Sequence, residues 1–181
     1  MSIKPLLLLA LLAPARAFAV DYTQAPGSHL AFAGRYQGEP FNGSFPGFAT
    51  RLSFHPTQLA KARLDVTIPL ASATTSNADY DGELGGTAFF NSARFPQARY
   101  TATRFRTLGG NRYAAHGTLS LRGVSKPVTL EFTWTAGPRP VLIGKASVRR
   151  LAFGVGGGDW ADTALIPDTI AISTKVVLKP L

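Results

Sequence analysis

Cysteine is absent from the 181-residue chain, which excludes disulfides, thiolate nucleophiles, sulfur-ligated zinc and iron–sulfur clusters. Charged residues make up only 16% of the sequence, whereas hydrophobic residues make up 45%, and this balance excludes intrinsic disorder. Acidic residues are also few, with 10 against 19 basic ones and a formal net charge of +9. The length is that of one ordinary domain.

No apolar run is long enough to cross a bilayer, which takes about 20 residues. The run Leu6–Leu12 follows Lys4, and the small residues of Ala17-Phe18-Ala19 follow the run at the spacing of a cleavage site. This order predicts a secretory signal peptide over residues 1–19, a mature domain over 20–181, and a place in the bacterial periplasm or outside the cell. A packed N-terminal helix is the alternative.

Apolar and polar residues alternate through most of the mature sequence, as they do in strands with one buried face. In the stretch from Pro127 to Ala136, for example, the apolar positions are Val128, Leu130, Phe132 and Trp134. Short connections between such stretches indicate antiparallel neighbours, because parallel pairs need long crossovers. We therefore expect an all-β fold, an antiparallel eight-stranded barrel, since closure removes exposed edges. The predicted strands cover about 28–37, 48–55, 62–70, 97–107, 112–122, 127–136, 141–151 and 170–178.

Small residues occur on the expected inner face, among them Gly117, Gly144 and Ala146. An eight-stranded barrel is either filled by its own side chains or holds one small ligand. Small inward residues leave room for a ligand in one interpretation. In the other, the glycines mark bulges or close backbone contacts.

The connection from Ala71 to Phe95 lacks alternation and is longer than ordinary loops. Its acidic residues followed by Phe89-Phe90 predict a short helical lid segment whose phenylalanines cover the barrel mouth. A solvated loop with two core-filling phenylalanines is the alternative. Asn77 and Asp81 are expected either to meet a polar head group or to cap the helix, with Asp81 the favoured cap.

Several segments resemble the YceI-like family, also called the polyisoprenoid-binding family. Phe89–Tyr100 is similar to its double-phenylalanine block, and Gly117–Leu130 to the block that follows. Asn77–Leu84, Ser28–Phe32 and Phe153–Trp160 resemble further segments, so that the resemblance covers nearly all of the mature chain. It implies a lipocalin-like barrel, a periplasmic location and a long amphiphilic ligand, such as a polyisoprenoid or an isoprenoid quinone.

Two features depart from the usual pattern of that family. The chain is basic, and Tyr80-Asp81 stands where the family has an arginine and an aspartate, so a head-group role of that arginine does not carry over. The Phe-Gly-Val-Gly variant at residues 153–156 is associated with membrane cytochrome b partners. The basic charge has three interpretations: contact with an anionic membrane, docking of an acidic partner, or solubility.

The expected function is that of a carrier for a long-chain amphiphile in an apolar cavity. The alternative is a protein-interaction module with a filled barrel, accessory to a membrane cytochrome. For each candidate ligand contact, the alternative is that the side chain only fills the core of the barrel. The candidate contacts are Leu30, Phe32, Phe54, Leu64, Val66, Asn77, Asp81, Phe89, Phe90, Tyr100, Leu119, Leu121, Phe132, Trp134 and Trp160.

An enzyme is not expected from these residues. His29, His55 and His116 are not at metal-ligand spacing, and Gly-x-Ser-x-Gly is absent. The glycine-rich stretch 154–159 lacks the Lys-Ser/Thr of a phosphate loop. We expect no metal, no nucleic acid partner and no cofactor other than a bound isoprenoid lipid or quinone; the oligomeric state is left open.

Overall fold

The structure is a computed structural model that describes residues 19–181. The predicted signal peptide, apart from Ala19, lies outside the described residues. Ten antiparallel strands and one short helix make up the fold, with single 3-10 turns at Leu59–Lys61, Leu70–Ser72, Arg150–Phe153 and Gly158–Trp160. The elements are β1 (Val20–Gln24), β2 (His29–Tyr36), β3 (Glu39–Ser44), β4 (Ala49–Phe54), β5 (Arg63–Pro69), α1 (Ala78–Gly85), β6 (Gln97–Gly109), β7 (Arg112–Leu121), β8 (Val124–Thr135), β9 (Val141–Arg149) and β10 (Thr169–Pro180).

The strands close into a barrel through the pairing of β1 with β10. β1 and β2 lie along the same edge of β10, where Gln24 pairs with Leu178 and His29 with Lys175, so they form one strand interrupted at residues 25–28. β3 and β4 pair with β2 and β1 and likewise form one strand interrupted at residues 45–48. Counted in this way, the barrel has eight antiparallel strands, which confirms the predicted fold class.

One end of the barrel is closed by aromatic rings, which we call the aromatic plug. Phe54 is fully buried at its centre and packs against Trp134 and Tyr113 with ring centroids 4.8 and 5.1 Å apart. Phe132 and Phe105 complete the plug at 5.7 and 6.1 Å from Phe54. Edge-to-face pairs of this kind stabilise a core beyond their burial alone. The plug therefore makes the barrel blind at this end.

Two of the glycines on the inner face are sites of close contact. A Cβ atom at Gly117 would lie 2.6 Å from the Tyr100 ring and 2.5 Å from the carbonyl oxygen of Thr101. A Cβ atom at Gly144 would lie 2.9 Å from Leu130. The close-contact interpretation thus describes Gly117 and Gly144, because neighbouring side chains occupy the space that the missing side chains leave.

The opposite end of the barrel is covered by the long connection between β5 and β6. Backbone hydrogen bonds join Thr74 to Ser44 at the end of β3, and Leu70 to Pro96. α1 follows, and Phe89 and Phe90 then turn inward as buried side chains. We call residues 73–95 the lid segment. Within residues 19–181, no helix has the length and apolar character that crossing a membrane requires.

Candidate functional site

A cavity of about 200 Å³ lies between the aromatic plug and the lid segment, and its wall is almost entirely apolar. A water molecule takes about 30 Å³ in the liquid, so this cavity has room for about seven groups of that size. The barrel is therefore not completely filled by its own side chains, and the space left is smaller than the roughly 300–1,000 Å³ of typical small-molecule pockets. The cavity is lined by nine of the residues predicted from the sequence: Leu30, Phe32, Leu64, Val66, Phe89, Phe90, Tyr100, Leu119 and Leu121.

Several apolar side chains of the wall are only half-buried although they face inward. Val66, Val128, Val148 and Ile172 belong to this group, and all of them line the cavity. In a close-packed core such side chains would be fully buried. Their remaining exposure faces the cavity, so the protein has apolar surface that a ligand would cover.

Six of the predicted contact residues lie elsewhere. Phe54, Phe132 and Trp134 belong to the aromatic plug, and Asn77 and Asp81 to the lid segment. Trp160 packs at the rim of the mouth, with its ring 5.4 Å from Phe89 and 6.1 Å from Tyr36. None of the six is part of the cavity wall.

The helix cap is Asn77, and the expectation that Asp81 is the favoured cap was wrong. The Asn77 side chain accepts hydrogen bonds from the backbone N–H groups of Asp79 and Tyr80, as an N-cap does. Asp81 comes one turn later, too far into the helix to reach the first free N–H groups. The sequence did not show that two threonines before the helix would bind its carboxylate instead.

Asp81 fastens α1 to the strand-like segment before it. Its carboxylate accepts hydrogen bonds from Thr74 Oγ1 at 2.7 Å, from Thr75 Oγ1 at 2.7 Å and from the Thr75 backbone N–H at 2.6 Å. These bonds favour the ionised form, with the Thr74 bond contributing most, and lower the pKa of Asp81 below its ordinary 3.8. We call this arrangement the Asp81 clasp.

Phe89 and Phe90 close the cavity from the lid side. Phe90 packs on Phe45 with ring centroids 5.7 Å apart, and both rings line the cavity. Arg122, in the turn between β7 and β8, donates hydrogen bonds to the carbonyl oxygens of Thr87 and Phe89. The double phenylalanine is therefore tied to the barrel rim, whereas α1 contributes no fully buried side chain.

The few polar groups in the wall mostly have partners within the protein. Tyr100 Oη lies 2.9 Å from the Ala115 carbonyl oxygen, to which it donates, and burial raises the pKa of Tyr100 to about 12. Thr174 Oγ1 donates to the carbonyl oxygen of His29 at 2.9 Å. Both groups are neutral at ordinary pH and are already satisfied.

Arg150 is the charged residue of the wall, and it is only 4% exposed. Its guanidinium has five N–H donors, and the structure shows five hydrogen bonds to main-chain carbonyl oxygens. Burial lowers the pKa of Arg150, and the charge of Asp168 acts in the opposite direction. Arg150 thus holds the connection between β9 and β10 in place and keeps little bonding capacity for a ligand. The acceptors are Val155, Gly156, Trp160, Ile166 and Pro167, at 2.6–3.2 Å.

Part of the wall comes from residues that the alternation did not single out. Phe45 and Phe48 are the first and last residues of the interruption between β3 and β4, and Val155 and Ile166 come from the connection that Arg150 holds. These segments are irregular, so period-two patterning gives no signal for them. The one sequence feature that could have pointed to Phe45 and Phe48 is that both are large apolar residues directly beside a Pro-Gly pair.

Residues 19–181 contain no group of three histidine or acidic side chains placed to hold a metal ion. His55 and His116 instead have local threonine partners, Thr57 and Thr129, at 2.9 and 3.0 Å. The candidate site in this part of the chain is therefore defined by the shape of the cavity and by its apolar wall.

Comparison with known proteins agrees with this architecture. The model of the YceI-like domain matches residues 22–178, and the chain belongs to this family. A UPF0312 protein of Photorhabdus laumondii is 34% identical over 124 residues, which are 66% of this chain and 64% of the relative. The chain thus matches somewhat less than two thirds of that relative's length.

Two solved structures show the same fold. BcnA of Burkholderia cenocepacia has a TM-score of 0.80 at 28% identity, with 83% of this chain and 95% of BcnA covered. A polyisoprenoid binding domain from Saccharophagus degradans has a TM-score of 0.70, with 90% of this chain and 99% of that domain covered. Its identity of 14% shows a shared fold and no more.

Proposed function

We propose that the protein binds a long-chain amphiphile of the polyisoprenoid or isoprenoid quinone class and carries it enclosed in the barrel. The observation that carries this proposal is the cavity of about 200 Å³ with an almost wholly apolar wall. Membership in the YceI-like family supports it. So does the name of the Saccharophagus degradans domain, which describes that domain as polyisoprenoid binding.

The physics of transfer favours a carrier over a tight trap. Each CH₂ group that leaves water contributes about 0.8 kcal/mol of favourable free energy. Moving a twenty-carbon chain from an apolar surrounding into water would therefore cost on the order of 16 kcal/mol. A wall of leucine, valine, isoleucine and phenylalanine replaces one apolar surrounding with another. Moving the chain from a bilayer into the cavity is then nearly neutral, and the ligand can leave again.

The lid segment is the route that we propose for loading and release. α1 has no fully buried side chain. It is held by the Asp81 clasp, by the contact of Tyr80 with Tyr36, whose ring centroids are 6.3 Å apart, and by Leu84, which packs half-buried against the cavity. Elements with few buried contacts open at low free energy. Opening of such a lid takes about microseconds to milliseconds.

We further propose that the carrier works in the bacterial periplasm. The support is the sequence order of residues 1–19, which is typical of a secretory signal peptide. A long isoprenoid chain cannot cross this aqueous space unaided. A barrel that encloses such a chain would supply the transport step.

Native mass spectrometry of the protein purified from its own host tests the proposal. We expect a retained lipid, released by organic solvent and identified as an isoprenoid amphiphile. Protein that is free of any amphiphile in repeated preparations, and that takes up none from added vesicles of host lipid, would contradict the carrier. That result would favour the protein-interaction module.

A further inference from the structure

The barrel wall is irregular where its first two strands are interrupted side by side. The interruption between β1 and β2 reads Ala25-Pro26-Gly27-Ser28, and the one between β3 and β4 reads Phe45-Pro46-Gly47-Phe48. Proline has no backbone N–H to donate to a neighbouring strand, and Gly27 has a φ of +91°, so the regular strand pairing is broken at both stretches. A polar pocket lies between them, and we call it the wall pocket.

Gln24 and Thr50 meet at this pocket. The β1–β4 register pairs Tyr22 with Leu52 and Thr23 with Arg51, and its continuation places Gln24 opposite Thr50. Tyr22 and Leu52 face the interior, so side chains two residues further along each strand face it as well. A polar pair is therefore built into an inner face that is mostly apolar.

Each of these two side chains has a buried oxygen that lacks a partner. Gln24 Nε2 donates to the Phe48 carbonyl oxygen at 3.0 Å, which fixes the amide and leaves Oε1 as its free atom. Gln24 Oε1 and Thr50 Oγ1 are buried and find no hydrogen-bond partner within the described part of the chain. Thr50 is only 2% exposed. A buried polar atom without a hydrogen-bond partner destabilises the fold, so both atoms need a partner.

Thr50 lines both the wall pocket and the apolar cavity. The two spaces therefore meet at this side chain. At the lid end, by contrast, the donors of Arg150 are engaged by main-chain carbonyl oxygens. The unmet demand for hydrogen bonds in the cavity wall thus lies at Thr50.

We propose that the wall pocket is the subsite for the head group of the ligand, and that this head group carries a hydroxyl. Gln24 Oε1 only accepts hydrogen bonds, and Thr50 Oγ1 can donate one. A hydroxyl satisfies both, because it donates to the amide oxygen and accepts from the threonine. The class of ligand is then an isoprenoid alcohol, phenol or quinol, with its head at the wall pocket and its tail in the apolar cavity.

This inference rests on the proposed binding of an amphiphile, and one experiment separates the two. Two probes are compared: geranylgeraniol and the hydrocarbon in which a methyl group replaces its hydroxyl. Their dissociation constants are measured by displacement of N-phenyl-1-naphthylamine from wild type and from Thr50→Val. The Thr50→Val change keeps the shape of the side chain and removes only its hydroxyl.

We expect Thr50→Val to shift the ratio of the two dissociation constants about fivefold towards the hydrocarbon, as loss of one hydrogen bond does. Thr50→Ser keeps the hydroxyl and should restore the wild-type ratio. Thr67→Val is the matched control, since Thr67 lies on the neighbouring strand β5 outside both pockets.

An equal ratio in wild type and in Thr50→Val would overturn the head-group subsite and leave the wall pocket as a water site. Wild type that binds neither probe would refute the proposed function itself, and the subsite with it. A shift that appears in Thr67→Val as well would also count against the role of Thr50.

Discussion

Filling the cavity with a side chain tests whether it is the binding space. Ala146 lies on β9 opposite Ile172 of β10 and lines the cavity. The Ala146→Phe substitution adds six carbon atoms to a space for about seven water-sized groups. A ligand would lose room for about six carbons, each worth about 0.8 kcal/mol.

We expect binding of geranylgeraniol to weaken about a hundredfold, which corresponds to about 2.7 kcal/mol, because the full loss of about 5 kcal/mol is an upper limit. Stability should change much less. The ring gains apolar contacts inside the barrel, while overpacking typically costs about 1–3 kcal/mol, so we expect a net change within about 2 kcal/mol. Dye displacement measures binding, and urea denaturation measures the free energy of unfolding.

Ala171→Phe is the matched control for this substitution. Ala171 lies next to Ile172 on β10, but it is exposed on the outer face of the barrel. The Ala171→Phe variant should bind geranylgeraniol with the affinity of the wild-type protein. Folded Ala146→Phe protein with wild-type affinity would refute the reasoning, since the ligand would then occupy some other part of the molecule.

Three further predictions concern the parts around the cavity. Phe54→Ala should reduce the free energy of unfolding by about 3–5 kcal/mol in urea titrations, because it removes the centre of the aromatic plug; a change below about 1 kcal/mol would contradict that role. Arg150→Lys should speed hydrogen exchange in residues 154–167, since one ammonium group cannot replace a five-donor fork; exchange at the wild-type rate would show that the connection is held otherwise. The Asp81 clasp should be intact above the ordinary pKa of 3.8 and be lost as the pH falls through the lower pKa of the folded state. Exchange of the α1 amides, compared at each pH with Asp81→Asn, measures that loss; α1 amides that show no acid-dependent change relative to the variant would speak against the clasp.

Much of the barrel could be predicted because half-buried strands carry a period of two. β8 is an example, with Leu130, Phe132 and Trp134 buried inside. The short strand β3 carries no such signal: its sequence Glu-Pro-Phe-Asn-Gly-Ser contains a proline and a glycine. It is a strand because β2 offers it a paired edge, which is a tertiary effect that local sequence does not show.

Alternation identifies inward residues but not the depth at which they lie. Leu64 and Leu119 face the cavity, whereas Phe54 and Trp134, equally apolar and equally inward, form the aromatic plug. Depth depends on the register and tilt of neighbouring strands, which the sequence of one strand does not contain. The opposite case is Thr50, a polar residue in an inward position, whose importance follows only from the atoms around it.

A barrel with an unfilled apolar interior has a melting temperature that depends on what it contains. A ligand that binds only the folded state adds stability that grows with its concentration, about 2.7 kcal/mol at a hundred times the dissociation constant. Preparations that differ only in carried lipid would therefore unfold at different temperatures. Heating the protein with candidate compounds would rank them by affinity even while the natural cargo is unidentified.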